Sequence, residues 1–243
     1  MTKVDILAFG AHPDDVEIGA GGTLAREVSL GRRVGIVDLT CGEMSTNGTP
    51  EERHREAVEA ARILGAEFRR NLGLPDRGIT VNQGNIARVV EVIRRYTPDV
   101  VLAPHPGDRH PDHARCAELV REAFFSSGLA RFDRGSTAGL PPHRPRRLYL
   151  YFVSSRVLPS FVVDVSDWYE VKWRSLQAHR SQFGFRPAGK GKDEANKSPT
   201  YVNETLPGLI LGRDRYFGAL IGACFGEGFF SPEMLEVGDL LQT

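Results

Sequence analysis

The feature that most constrains this chain is the regular alternation, through its first half, of short apolar runs with longer amphipathic stretches. Val4 to Phe9 reads as a strand, and from Asp15 to Leu30 the residues Val16, Ile18, Ala20, Leu24 and Val28 recur at near-helical spacing, with Gly31 as a stop. The pattern then repeats. Val34 to Leu39 reads as a strand and Glu51 to Leu64 as a helix carrying Ala57, Val58, Ala61 and Leu64 on one face. Ala66 to Leu72 reads as a short strand, Asn85 to Tyr96 as a helix, Asp99 to Ala103 as a buried strand and Asp112 to Phe125 as a helix. Strands alternating with helices in this way build βαβ units and hence a mostly parallel sheet. The predicted class is α/β: a Rossmann-like, mostly parallel sheet with helices on both faces, in three α/β/α layers.

The second half is less regular. Leu148 to Val153 and Phe161 to Val165 read as strands, Asp167 to Ser181 as a helix, and 203–223 as helical only from about Leu209, because Pro207 and Gly208 interrupt it. Residues 128–147 and 184–201 mix Gly, Pro, Arg and Lys and read as surface loops forming a rim or lid. Phe225, Phe229 and Phe230 read as core or interface. At 243 residues the chain suits one domain, 1–243.

Charge narrows the partners. Lys plus Arg and Asp plus Glu each number 31, so no single-sign field exists to attract nucleic acid or a membrane surface. No stretch approaches the roughly 18 consecutive apolar residues of a membrane span, and Asp5 falls where a signal peptide would be apolar. Cys41, Cys116 and Cys224 are far apart with no C-x-x-C spacing and read as reduced thiols of a cytoplasmic protein.

Two segments carry chemistry: Ala11-His12-Pro13-Asp14-Asp15 after the first strand, and His110-Pro111-Asp112-His113 after the strand near Val100. Both lie where strands give way to helices, and in open α/β sheets such loops converge on a crevice outside the carboxyl ends of the strands. Imidazole and carboxylate together are the ligand set of Zn²⁺, and three protein ligands leave a fourth position open for catalysis. His12, Asp15 and His113 form the candidate triad; Fe²⁺ or Co²⁺ suits the same donors. Asp14, beside a ligand but not one itself, is the candidate general base for attacking water and the later acid for the leaving nitrogen. His110 as an imidazolium held by Asp112 is the candidate stabiliser of an oxyanion. The bland reading stays open: Asp14 and Asp15 as helix caps and His-Pro as a structural turn.

With these residues in view, the chain resembles the zinc-dependent N-acetylglucosaminyl deacetylases of the PIG-L or LmbE-like family. Ala8 to Gly22, Thr40-Cys41-Gly42-Glu43, Arg53 to Gly65, Pro104 to His113, Ala178-His179-Arg180-Ser181-Gln182 and Gly226-Glu227-Gly228-Phe229 resemble the branch acting on N-acetylglucosaminyl malate in bacillithiol biosynthesis. The resemblance implies zinc on His12, Asp15 and His113, Asp14 as base, and His110 and Asp112 as the charge-stabilising pair. It further implies a small amino-sugar substrate, a mobile-segment tyrosine for which Tyr201 is the candidate, and a homo-oligomer, plausibly a hexamer. Arg53 is then expected to clamp a substrate hydroxyl or carboxylate and Arg109 to meet the malyl carboxylates. His179 reads as structural, and His105 as holding its loop. N-acetylglucosamine, chitobiose and an amide-bearing thiol conjugate are alternative substrates.

Two other classes compete. A nucleotide binder fails on spacing, because Gly19, Gly21 and Gly22 come too late after Phe9 and do not form G-x-G-x-x-G. A metal- or carbohydrate-binding module would use the ligands but not Asp14.

Overall fold

A computed structural model of the chain describes residues 3–132, 137, 139–155, 157–183 and 200–236. Seven strands form one sheet: β1 (Ile6–Gly10), β2 (Val34–Thr40), β3 (Phe68–Leu74), β4 (Val100–Pro104), β5 (Arg147–Tyr151), β6 (Phe161–Asp164) and β7 (Gly226–Phe230). Their order across the sheet is β3-β2-β1-β4-β5-β7-β6. The first five run parallel, and β7 is antiparallel to both β5 and β6.

Helices cover both faces: α1 (Asp15–Ser29), α2 (Pro50–Leu64), α3 (Gln83–Tyr96), α4 (Pro111–Ser127), α5 (Tyr169–Ala178), α6 (Arg180–Phe183), α7 (Tyr201–Glu204) and α8 (Leu206–Leu220). Successive side chains of a strand point to opposite faces, and β1 shows the consequence. Leu7 and Phe9 join Val89, Val90, Leu119 and Val120 of α3 and α4 in one core, while Ile6 and Ala8 join Val16, Leu24, Ala61, Leu176 and Ile210 in the other. Every residue of β1 and β2 is buried, as expected of central parallel strands covered on both sides. The three-layer α/β/α reading of the sequence is the observed one.

Local chemistry explains the element ends. Thr49 caps α2 by accepting from Glu52 N while Glu52 accepts from Thr49 N, and Gly65 ends the helix at φ 78°. Helix α1 lies close on the sheet because Gly19 has no Cβ to overlap the Tyr151 ring, and Tyr151 Oη donates to Phe9 O at 2.8 Å.

The second half departs from expectation in three places. A helix over 167–181 is instead α5 and α6, interrupted at His179. Helix α8 starts at Leu206, because Pro207 sits in the first turn, where a missing N–H costs nothing. Strand β7 went unforeseen, since Gly226 and Gly228 are poor strand formers. A Cβ on Gly226 would press on Val162 and the Gly218 backbone, and one on Gly228 on Phe217, so close packing against β6 and α8 explains both glycines. Phe229 of this strand is core. The expected loop over 184–201 lies, except for its last two residues, outside the described residues, as do 133–136 and 138 of the other loop. Among the described residues no helix is long and apolar enough to cross a membrane.

Candidate active site

Strand β1 has β2 on one side and β4 on the other, which makes the crevice outside their carboxyl ends the switch point where open α/β sheets bind ligands. His12 follows β1, and His110 and His113 follow β4, so the sheet brings the two histidine segments together. The ring centroids of His12 and His110 are 4.7 Å apart, those of His110 and His113 5.0 Å and those of His12 and His113 5.6 Å. A cavity of about 300 Å³ opens over them.

Asp15 stands between two of the rings. Its Oδ1 lies 3.0 Å from His113 Nε2, and its Oδ2 lies 3.5 Å from His12 Nδ1 while accepting from His12 N at 2.9 Å. Two further sets of donor atoms converge within 4.8 Å: His12 with His110 and His113, and His12 with Asp76 and Asp112. Burial pushes both His12 and His113 down, yet the surrounding carboxylates outweigh it. Asp112 and Asp15 raise His12 well above its ordinary value, and Asp15 with Asp108 raises His113 to about 9. Buried imidazoles surrounded by carboxylates in this way form a pocket organised to stabilise positive charge, and the donor set fits a divalent cation.

Asp14 lines the same cavity and has an unusual backbone. It precedes α1 at φ 118°, ψ −25°, a left-handed conformation rare outside glycine and concentrated at functional sites. Burial pushes its carboxyl up to about 6, with Arg53 opposing and Asp15 adding to the rise. Such a group can take and return a proton near neutrality.

Arg53, expected from sequence to clamp the substrate, lines the cavity, and its guanidinium is engaged by the loops around Asp14. Its side chain is buried, with Nη1 donating to Gly42 O at 3.0 Å and Nη2 to Pro13 O at 2.7 Å and toward Asp14 Oδ2 at 3.4 Å. The guanidinium therefore holds the loop of Asp14. The expected His110–Asp112 ion pair is also replaced. His110 Nδ1 accepts from Asp112 N at 3.2 Å, and burial, reinforced by His12 and His113, lowers the ring to about 4. His110 is thus neutral, with its proton assigned to Nε2. The Asp112 carboxylate turns instead to Arg77 N at 2.7 Å and toward His12 Nε2 at 3.5 Å. Arg109 and Tyr201 both line the cavity, with the guanidinium carbon 3.9 Å from the Tyr201 ring centroid.

Two site carboxylates escaped the sequence reading. Asp76, in the loop after β3, lies 3.1 Å from His12 Nε2 and accepts from Met44 N at 3.0 Å. Asp108 lies 2.8 Å from His113 Nδ1, within ion-pair range though off the line of a directed hydrogen bond. It also accepts from His110 N, Ser154 N and Ser154 Oγ. Each sits in a strand-end loop, which was the available signal, but Pro-Asp-Arg-Gly and Gly-Asp-Arg also read as ordinary turns. His105 Nδ1 accepts from Gly107 N, as its loop-holding reading expects. His179 is buried with its Nε2 3.3 Å from Glu17 Oε1.

Fold and site together place a cluster of imidazoles and carboxylates that fits a divalent cation, with the buried carboxyl of Asp14, at the switch point of an α/β sheet. Comparison with known proteins gives the family. The PIG-L model, described as GlcNAc-PI de-N-acetylase, matches residues 7–124. The diacetylchitobiose deacetylase of Thermococcus kodakarensis is 34% identical over 92% of this chain and 81% of its own length. A probable N-acetyl-alpha-D-glucosaminyl L-malate deacetylase 2 of Bacillus subtilis is 27% identical over 74% of this chain and 84% of its own. The crystal structure of a conserved protein of Thermus thermophilus, TT1542, superposes with a TM-score of 0.84 at 37% identity, covering 97% of this chain and 98% of that one. The chain belongs to the PIG-L family of N-acetylglucosaminyl deacetylases, and is an enzyme of that hydrolase class.

Proposed function

We propose that the protein removes the acetyl group of an N-acetylglucosaminyl conjugate with the help of a bound Zn²⁺, and that the conjugate is N-acetylglucosaminyl malate, giving glucosaminyl malate and acetate in bacillithiol biosynthesis. The observation that carries the reading is the single carboxylate of Asp15 facing both His12 and His113, with Asp14 next to it, buried and pushed up to about 6.

His12, Asp15 and His113 would hold the cation, and Asp108 would keep the proton of His113 on Nδ1 so that Nε2 is free as a ligand. A cation there supplies Lewis acidity to the water and to the amide carbonyl. Asp14 takes a proton from the attacking water as the new C–O bond forms. Nδ1 of His110 is occupied as an acceptor, so the Nε2–H of the neutral ring is the donor available to the developing oxyanion. The C–N bond then breaks, the proton on Asp14 passes to the leaving nitrogen, and acetate and a free amine result. Arg53 keeps the Asp14 carboxylate in place.

Arg77 and Arg109 line the cavity, and two basic residues there favour a substrate whose aglycone carries carboxylates, as malate does. Diacetylchitobiose is the second reading, favoured by the higher identity and coverage of the Thermococcus relative. Cytoplasmic location and a homo-oligomer, with a hexamer the form implied by resemblance, complete the proposal. The exposed Tyr216, Leu220 and Ile221 at the end of α8 support a surface that another copy covers.

Amine release from N-acetylglucosaminyl malate, N,N′-diacetylchitobiose and N-acetylglucosamine, measured in parallel, tests the assignment. A kcat/KM preference for the malate conjugate of about tenfold or more supports it; a preference for the chitobiose replaces the substrate and keeps the chemistry. Release from none of them sinks both.

A further inference from the structure

The cation and acid–base groups account for the polar half of the cavity, but not for its apolar half. Ile18, Val153, Val202 and Leu206 line that side. Ile18 stands three residues beyond Asp15 on α1, so the two share a helix face. Val153 precedes Ser154, whose N and Oγ both bond the Asp108 that stands behind His113. Ile18 and Val153 are 2% and 4% exposed. An amide whose carbonyl is bound at the cation site and His110 lies in the same cavity that these two side chains line.

What fixes them is a buried charge network outside the acid–base machinery. Arg213 of α8 donates through Nη2 to Ile18 O at 2.7 Å, and through Nη1 to Val153 O at 3.0 Å and to Phe152 O. Its Nε binds Asp214 Oδ1 at 2.8 Å, and Asp214 Oδ2 receives Lys172 Nζ at 2.7 Å. Lys172 Nζ continues to Glu227 Oε1 at 2.6 Å. The Glu227 carboxylate accepts from Gly22 N and Thr23 N, in the middle of α1, at 2.9 and 2.7 Å. Two cations and two anions thus alternate in a buried chain that grips α1 at two levels. Ile18 N meanwhile donates to Asp14 O at 3.0 Å, so a single backbone hydrogen bond links the clamp to the base.

Buried ion networks are poor sources of stability, because well-packed apolar side chains of similar volume often do as well. They do supply direction: a planar guanidinium fixes its acceptors where dispersion contacts would let them slide. Here the acceptors are the backbone carbonyls of the two wall residues.

We propose that Ile18 and Val153 form a rigid wall that receives the acyl methyl and limits the acyl group to acetyl, with Arg213 as the positioning residue that locks the wall in place. The proposal rests on the amide-hydrolase reading above. It is tested by kcat/KM for the N-acetyl, N-propionyl and N-butyryl forms of glucosaminyl malate and of chitobiose, with wild type, Val153→Ala, Arg213→Lys and Arg213→Ala, all loaded with Zn²⁺. One methylene misplaced in an apolar pocket changes kcat/KM by about tenfold or more. The acetyl-to-butyryl ratio is therefore expected to fall about tenfold in Val153→Ala, by opening the wall. It is expected to fall comparably in Arg213→Lys, by releasing the wall, and added guanidinium is expected to restore it in Arg213→Ala. A role in stability alone would lower the melting temperature and leave the ratio where it was. If the Arg213 variants do not fold, Val153→Ala still decides the wall. An active wild type with the same ratio in Val153→Ala overturns the wall, and an unchanged ratio in folded Arg213→Lys overturns the clamp. A wild type that hydrolyses none of these amides overturns this proposal together with the proposed function.

Discussion

Replacing Asp108 with Asn tests whether the group behind His113 sets the cation pocket. Oδ1 of Asp108 accepts from His110 N at 3.0 Å and Ser154 Oγ at 2.8 Å and lies 2.8 Å from His113 Nδ1, whereas Oδ2 accepts from Ser154 N at 2.6 Å. An asparagine keeps most of these by placing its oxygen at Oδ1, which sets its NH₂ against the Ser154 N–H, donor to donor. The loss is one hydrogen bond to a charged acceptor, about 1.5–3 kcal/mol, plus the charge that faces His113. With the charge gone, the Nδ1 proton of His113 is less firmly held and its Nε2 is a weaker ligand. Changes of this kind behind a ligand cost roughly 10–100-fold in metal affinity, or about 1.4–2.8 kcal/mol at 1.4 kcal/mol per factor of ten. Competition against a chromogenic chelator measures the Zn²⁺ Kd directly, and urea denaturation of the metal-free protein measures the stability loss separately. A Kd within about twofold of wild type in a folded Asp108→Asn would show that Asp108 braces the loop and does nothing for the metal.

Three other outcomes follow from the geometry. Asp14→Asn is expected to lower kcat by about 10²–10⁴-fold while leaving one Zn²⁺ per chain by elemental analysis; near-normal turnover would remove Asp14 from the chemistry. Arg53→Ala is expected to lower kcat by on the order of tenfold with KM nearly unchanged, because the guanidinium holds Asp14 and its loop; a rise in KM at constant kcat would restore the substrate-clamp role. Acid stability checks the buried carboxylates: burial pushes Glu17 and Asp108 up, but Arg69 and His179 outweigh it at Glu17 and His113 at Asp108, leaving each at about 2 against ordinary values of 4.5 and 3.8. Carboxyls lowered by folding contribute stability that is complete above the unfolded value and lost as pH falls toward the folded one. Metal-free protein is therefore expected to lose urea resistance steeply from about pH 4.5 down to about pH 2, and Glu17→Gln more shallowly. Parallel curves for the two would contradict the assignment.

The parts of this molecule that depend on local pattern could be read from its residues, and the parts that depend on long-range neighbours could not. Apolar periodicity places β1, α1 and α4 within a residue or two, and the switch-point rule brings the His12 and His113 segments to one crevice. Strand β7 escaped because its glycines lower strand propensity, and only the approach of Phe217 and Val162 makes them necessary. Asp76 and Asp108 escaped because a carboxylate in a turn has the same sequence signature whether it caps a backbone or faces a histidine. Arg53 lines the cavity, but helical position alone does not reveal that its guanidinium is taken up by the Gly42 and Pro13 carbonyls. The buried Lys172, Asp214 and Glu227 lie on three separate elements, and nothing local marks them as partners.

Cation dependence of the hydrolysis is the claim on which the others rest. Protein stripped by chelation, then assayed for acetate release from N-acetylglucosaminyl malate and N,N′-diacetylchitobiose before and after stoichiometric Zn²⁺, is predicted to be inactive until the metal returns and then to recover on at least one substrate. Undiminished acetate release from protein shown by elemental analysis to carry no metal would contradict the cation pocket of His12, Asp15 and His113.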